Sequence, residues 1–180
     1  MINTKKFYDL LKKHEIIFFT GVPDSLLKDF CAYITDFTPK NNHIISANEG
    51  GSIALASGYN LATDKIPLVY MQNSGLGNTI NPLLSLADEN VYSIPILLLI
   101  GWRGSPDIKD EPQHVKQGAI TTDLLDTMKI PYSILPQNID SAKVCLKHAI
   151  DNMKSFSRPF ALVIRKDTFK PYKLKKQILK

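Results

Sequence analysis

The chain predicts an α/β fold, a three-layer, doubly wound, six-stranded parallel sheet. Three observations carry that expectation. Six short apolar runs alternate with stretches of helical periodicity from one end of the chain to the other. Such alternation is the mark of successive β-α-β units, and hence of a mainly parallel sheet covered by helices on both faces. Two of the middle runs, 68–72 and 96–100, are almost continuously apolar, as strands buried on both sides are. Finally, 180 residues that are 44% hydrophobic and 22% charged suit one globular domain with a substantial core.

The elements follow in order. A helical pattern over 3–14 leads into a first strand at 16–20 (Ile-Ile-Phe-Phe-Thr). A helix is expected over 24–35, where Asp24 or Ser25 can cap its first turn. The second strand, 44–47, ends an apolar run that reads as buried, and a helix over 50–62 follows it directly. The third strand, 68–72, runs into a glycine-bearing turn and then a helix over 78–88. After the fourth strand at 96–100 comes an irregular stretch, 101–116. A loop of that length inside a compact domain is usually functional or mobile. A helix over 117–128, a strand at 132–135, a helix over 139–154 and a strand at 160–165 complete the pattern. The expected domain is 1–172, with 173–180 a basic tail or the start of a linker. No internal repeat or low-complexity segment interrupts it.

The net charge of +5 is unevenly placed. Residues 165–180 hold seven Lys or Arg against one Asp, so the rest of the chain sums to −1. A nucleic-acid surface would spread basic residues over a face and interleave them with aromatics, so no nucleic-acid partner is expected. The longest apolar stretch, 94–100, is too short to span a bilayer, and residues 1–9 lack an apolar core and cleavage signature. Neither membrane insertion nor a signal peptide is expected. Cys31 and Cys145 have no metal-like spacing, which points to a reducing cytoplasm.

Four segments follow predicted strands and should gather at one edge of the sheet, where open α/β folds bind ligands. They are Thr20-Gly-Val-Pro-Asp-Ser25, Asn48-Glu-Gly-Gly51, Gln72-Asn-Ser-Gly-Leu-Gly-Asn78, and Gly101-Trp-Arg-Gly104 continuing to Asp110-Glu-Pro-Gln-His114. Glu49 stands out, a carboxylate at a strand's end and at the positive end of a helix. Each segment also has a plainer reading: caps, turn glycines, a core tryptophan, a surface arginine, an ordinary loop histidine. The third lacks the Gly-Lys-Ser/Thr ending of a P-loop and the Gly-x-Gly-x-x-Gly of a dinucleotide fold. Asp110, Glu111 and His114 are loosely spaced for a metal, and neither a zinc arrangement nor a Gly-x-Ser-x-Gly elbow is present.

Taken together, these segments resemble the pyrimidine-binding domain of thiamine-diphosphate-dependent 2-oxoacid decarboxylases. The carrying motifs are Gly21-Val-Pro-Asp-Ser-Leu-Leu27, Ala47-Asn-Glu-Gly50, Tyr70-Met-Gln-Asn-Ser-Gly-Leu-Gly-Asn78 with Asn81-Pro82, Ile100-Gly-Trp-Arg-Gly104 and Asp110-Glu-Pro-Gln-His114. The likeness covers roughly residues 1–172. The last three motifs are most similar to those of phosphonopyruvate decarboxylases, with the α subunits of sulfopyruvate decarboxylases as the rival.

The resemblance implies that Glu49 contacts the pyrimidine ring of thiamine diphosphate and promotes its activation, for which a raised pKa at a dry interface would serve. It further implies cofactor contacts from Gln72, Asn73 and Ser74, and proton handling by Asp24 and His114. The substrate would be a small anionic 2-oxoacid. Arg103 is the best-suited cation for it, because a guanidinium grips two oxygens at once, with Asn78 and Gln113 nearby. The reaction implied is decarboxylation of phosphonopyruvate to phosphonoacetaldehyde and CO2. Such enzymes also need a diphosphate-binding domain whose Gly-Asp-Gly motif helps to hold Mg2+; this sequence has no Gly-Asp-Gly. The expected partner is a diphosphate-binding β subunit or a C-terminal domain of a longer protein, with a separate subunit in an αβ hetero-oligomer preferred. A non-catalytic module of the same fold is the remaining alternative, and the retained Glu49 argues against it.

Overall fold

The computed structural model describes residues 1–175. Strands β1 (Phe19–Gly21), β2 (His43–Ile45), β3 (Leu68–Gln72), β4 (Leu97–Gly101), β5 (Tyr132–Ile134) and β6 (Phe160–Ile164) form one sheet in the order β2-β1-β3-β4-β6-β5. Every neighbouring pair is parallel. The helices are α1 (Thr4–Lys13), α2 (Lys28–Phe37), α3 (Glu49–Thr63), α4 (Leu76–Pro82), α5 (Pro112–Thr127) and α6 (Ile139–Phe156).

Strand alternation sorts the core into two layers. Leu68, Tyr70, Leu97 and Leu99 face a cluster built with α1, α2 and α6. Val69, Met71, Leu98 and Ile100 face the opposite cluster, built with α3, α4 and α5. The expected three layers and six parallel strands are therefore present. β1, β3, β4 and β6 are the buried strands, shielded on both faces and along both edges.

Some local expectations give way, each for a physical reason. β2 is not a buried strand: it pairs with β1 alone, and Ile45 is 55% exposed. An apolar run does not by itself show whether a strand lies at the centre or at the edge. The first strand is shorter than expected, beginning at Phe19 and ending at Gly21 rather than spanning 16–20. α2 begins at Lys28, not 24, because the Asp24 carboxylate accepts from the N–H groups of Leu26 (2.9 Å) and Leu27 (3.2 Å) and holds a turn ahead of the helix. α5 begins five residues earlier than expected, with Pro112 in its first turn, where a missing N–H costs nothing. The irregular stretch is correspondingly shorter, 102–111. The helix expected over 78–88 starts at Leu76 and loosens into a π-turn, Leu83–Ala87, just past Pro82.

Residues near the two ends meet. Ile2 N–H donates to the Thr168 carbonyl at 2.7 Å, and Lys170 N–H to the Ile2 carbonyl at 2.8 Å. Phe169 packs its ring against Phe7 and Phe30. Further on, Tyr172 bonds Asp29 through its N–H and Asp36 through its hydroxyl, and the Lys175 N–H also reaches Asp36. Residues 176–180 of the expected tail lie outside the described residues.

Candidate active site

The strand order reverses between β1 and β3. From β1 the chain crosses to β2, whereas from β3 it moves on to β4. The carboxyl edge at such a switch point is where doubly wound folds leave a crevice, and the four singled-out segments all emerge along that edge.

Glu49 is the first residue of α3 because Asn48, in an extended conformation, caps the helix by accepting from Gly51 N–H at 2.8 Å. Its side chain is half-buried. Glu49 Oε2 accepts a hydrogen bond from Asn78 Nδ2 at 2.8 Å. Gly75 makes this approach possible, since a Cβ there would come within 2.5–2.6 Å of the Glu49 side chain. Pro82 contributes at a distance: it has no N–H to offer the Asn78 carbonyl four residues back. That carbonyl packs instead against Gly50, where a Cβ would stand 2.7 Å away. The other carboxylate oxygen, Oε1, accepts no hydrogen bond among the described residues.

Asp24 is 5% exposed, and its carboxylate lies against Gly101 at the end of β4. Oδ2 takes the two backbone N–H bonds described above, while Oδ1 is buried without a partner. Burial pushes its pKa up, opposed by those N–H groups and by the Arg103 charge.

Asn73 is buried and fully engaged. Its Nδ2 donates to the Arg103 carbonyl (2.9 Å) and to Thr121 Oγ1 (2.8 Å), and its Oδ1 accepts from Arg103 N–H (3.2 Å). It thus ties the turn after β3 to the loop after β4 and to α5. Arg103 forms a two-pronged ion pair with Asp110, Nε to Oδ2 at 2.8 Å and Nη2 to Oδ1 at 2.5 Å, and Nη1 reaches Ser25 Oγ at 2.9 Å. Asp110 also accepts from the N–H groups of Gly104 and Glu111. These bonds, the guanidinium's first among them, hold its carboxyl well below the usual carboxylate range. Gly104 has φ +65°, a conformation glycine adopts without penalty, and the His114 carbonyl packs directly onto it. Trp102 is core, donating its indole N–H to the Gly118 carbonyl at 2.8 Å.

The expected site residues fall into groups. Glu49 and Asn78 are in direct contact. Gln72 Nε2 bonds Ser74 Oγ at 2.7 Å, with Ser74 exposed. Asn73 and Arg103 are hydrogen-bonded to one another, and Asp24 bears on Arg103 through its charge. His114 and Gln113 stand apart in the first turn of α5, and the His114 imidazole makes no hydrogen bond among the described residues. Sequence reasoning missed what Asp110, Ser25 and Thr121 do. The seven-residue spacing of Arg103 and Asp110 in an otherwise irregular loop was the available signal for a closing ion pair. Among the described residues no group of three or more His, Cys, Asp or Glu could hold a metal ion.

Residues 3–130 match the family described as thiamine pyrophosphate enzyme, N-terminal TPP binding domain, and the chain belongs to that family. Its relatives are 2-oxoacid decarboxylases of two kinds. The chain is 38% identical over 116 residues to the phosphonopyruvate decarboxylase of Streptomyces viridochromogenes, covering 61% of this chain and 28% of that one. It is 35% identical over 158 residues to the sulfopyruvate decarboxylase subunit alpha of Methanococcus maripaludis, covering 87% and 90%. Among solved structures, the benzoylformate decarboxylase of Polynucleobacter necessarius superposes with a TM-score of 0.72 at 20% identity, over 98% of this chain and 32% of that one. That likeness shows the shared fold.

The donor set fits the pyrimidine end of thiamine diphosphate. A carboxylate with one oxygen fixed by Asn78 and the other unengaged, at the edge of a switch-point crevice, is suited to a ring nitrogen. For the diphosphate's metal, no metal-ligand cluster stands ready among the described residues.

Proposed function

We propose that this chain is the pyrimidine-binding half of a thiamine-diphosphate-dependent decarboxylase that converts phosphonopyruvate to phosphonoacetaldehyde and CO2. The observation that carries the reading is Glu49, held by Asn78 and Gly75 with one oxygen unengaged. When bound, the cofactor supplies the electron sink that lets the carboxylate of a 2-oxoacid leave as CO2. This chain's residues do the rest. Glu49 holds a proton at the pyrimidine nitrogen, and Asn78 orients Glu49 and borders the substrate. Gln72 and Ser74 border the cofactor, and Asn73 acts by fixing the surrounding loops. Asp24 and His114 handle protons, and Arg103 with Gln113 addresses the substrate's anionic groups.

The diphosphate and Mg2+ belong to a partner, a diphosphate-binding β subunit or a C-terminal domain of the same protein, in αβ pairs or higher. Residues 1–172 form the domain, and 173–180 the basic tail or linker. The cytoplasm is the proposed compartment; among the described residues no helix is long and apolar enough to cross a membrane.

A second reading keeps the chemistry and changes the substrate to sulfopyruvate. The near-full coverage of the Methanococcus maripaludis alpha subunit favours it, while the higher identity to the Streptomyces viridochromogenes enzyme favours phosphonopyruvate. The test is decarboxylation of phosphonopyruvate, sulfopyruvate and pyruvate by the chain alone and with its diphosphate-binding partner, given thiamine diphosphate and Mg2+. Activity in the mixture alone, strongest on phosphonopyruvate, is expected. Preference for sulfopyruvate would move the substrate, and no turnover by a well-folded assembly would leave a non-catalytic module.

A further inference from the structure

A cavity of about 220 Å³ lies between the 102–111 loop and the residue that follows Arg165. Its apolar walls are Leu26, Trp102 and Ile108, and its polar lining includes Arg103, Lys109, Asp110 and Lys166. We infer that this cavity is the subsite for the tetrahedral oxyanion at the far end of the substrate, a phosphonate or a sulfonate, with Lys109 and Lys166 as the residues that recognise it. The inference rests on the proposed function for the identity of the molecule, and on the following geometry for the site.

The charges in the cavity do not cancel. Arg103 and Asp110 neutralise one another, and the two Asp110 oxygens are occupied by the guanidinium and by the N–H groups of Gly104 and Glu111. Asp24 and Glu111 also bear on the Arg103 charge from outside the cavity lining. Lys109 and Lys166 remain, and neither takes part in an ion pair among the described residues. A third cation backs them: the Arg165 guanidinium lies 5.4 Å from the Trp102 ring centroid, and its Nε is buried without a partner.

The cavity shares Arg103 with the hydrogen bonds that tie the loop after β4 to the turn after β3. Its Arg103 is held by Asn73, two residues before the Gly75 that packs on Glu49. The two-pronged face of Arg103 is already filled by the planar Asp110 carboxylate, whereas a tetrahedral oxyanion can be met by separate ammonium groups from several sides. The two lysines therefore serve the group that distinguishes these substrates from pyruvate.

Trp102 is the chain's single tryptophan and lines the cavity, so its fluorescence reports on this site alone. The chain by itself would be titrated with methylphosphonate, methanesulfonate and acetate at constant ionic strength. A saturable Trp102 response to methylphosphonate or methanesulfonate and none to acetate is expected, and the tighter of the two identifies the head group. The doubly substituted Lys109→Gln, Lys166→Gln chain should bind at least about tenfold more weakly, as loss of charge-assisted hydrogen bonds implies. Both side chains are exposed, so the fold should survive, checked by circular dichroism. No response in the unaltered chain, an equal response to acetate, or unchanged binding by the substituted chain would overturn the assignment. None of these readouts depends on turnover, so a failed decarboxylation assay and a failed subsite remain separate results.

Discussion

At the scale of single residues, the proposed chemistry turns on two carboxylates that the fold treats differently. Glu49 is half-buried and half satisfied. Glu49→Gln keeps an oxygen for Asn78 and the steric match to Gly75, but loses the proton-holding group. Turnover in the reconstituted enzyme should fall by at least about a hundredfold while assembly, measured by sedimentation, is retained; near-normal turnover would refute its role. Asp24 is buried with one oxygen unpartnered, and burial raises its pKa above the unfolded value. Below the unfolded-state pKa both forms are neutral and no penalty exists. As pH rises through the folded pKa the penalty develops in full. Asp24→Asn should therefore stabilise the chain by about 1 kcal/mol at neutral pH and lose that gain in acid. Urea unfolding at pH 7.5 and at pH 3.5 would check it, and equal effects at both pH values would contradict it.

At the scale of elements, the 102–111 loop is closed by one carboxylate. The Asp110 carboxyl is held below its ordinary pKa, so its contribution is present at neutral pH and is lost only as pH falls through that depressed value. Asp110→Asn should open the loop. Limited proteolysis within 104–111 should accelerate, and stability should drop by about 2 kcal/mol. Substrate should protect the same loop in the assembled enzyme, since exclusion of water guards a carbanionic reaction; equal cleavage with and without substrate would show that it does not close. This loop also marks how far the sequence could be read. Strands β3, β4 and β6 were legible because their apolar runs are nearly unbroken. The edge on which Glu49 and Asn78 lie was legible from position, but their hydrogen bond was not. The buried state of Asn73, the pairing of Arg103 with Asp110 and the early start of α5 were not. They depend on partners 30 and 48 residues away and on a proline whose place in the first turn only the folded chain reveals. β2 misled for the converse reason, being apolar in sequence yet lying at the sheet's edge with Ile45 exposed.

For the whole molecule, the proposed function makes the chain half of a site. In that reading Glu49 serves one end of the cofactor, and among the described residues no metal-ligand cluster stands ready for the other. A complex formed only by the folded halves should raise the apparent melting temperature of this chain, because binding to the native state shifts the unfolding equilibrium. Differential scanning fluorimetry with the partner, thiamine diphosphate and Mg2+ should show a rise of several degrees that the chain alone, given the same cofactor, does not. An identical shift without the partner would mean that the chain holds the cofactor by itself.

The joining of Ile2 to Thr168 and Lys170 has a consequence for how the protein is made. The ring of Phe169 packs against both Phe7 and Phe30, so α1 and α2 cannot finish packing until the segment through Phe169 has left the ribosome. During synthesis the first helices wait with their aromatic faces uncovered, and the last strand and the segment after it arrive together to close them. A ribosome stalled with residue 160 at the tunnel exit should hold a protease-sensitive nascent chain. One stalled some fifteen residues later should hold a resistant one, with little in between.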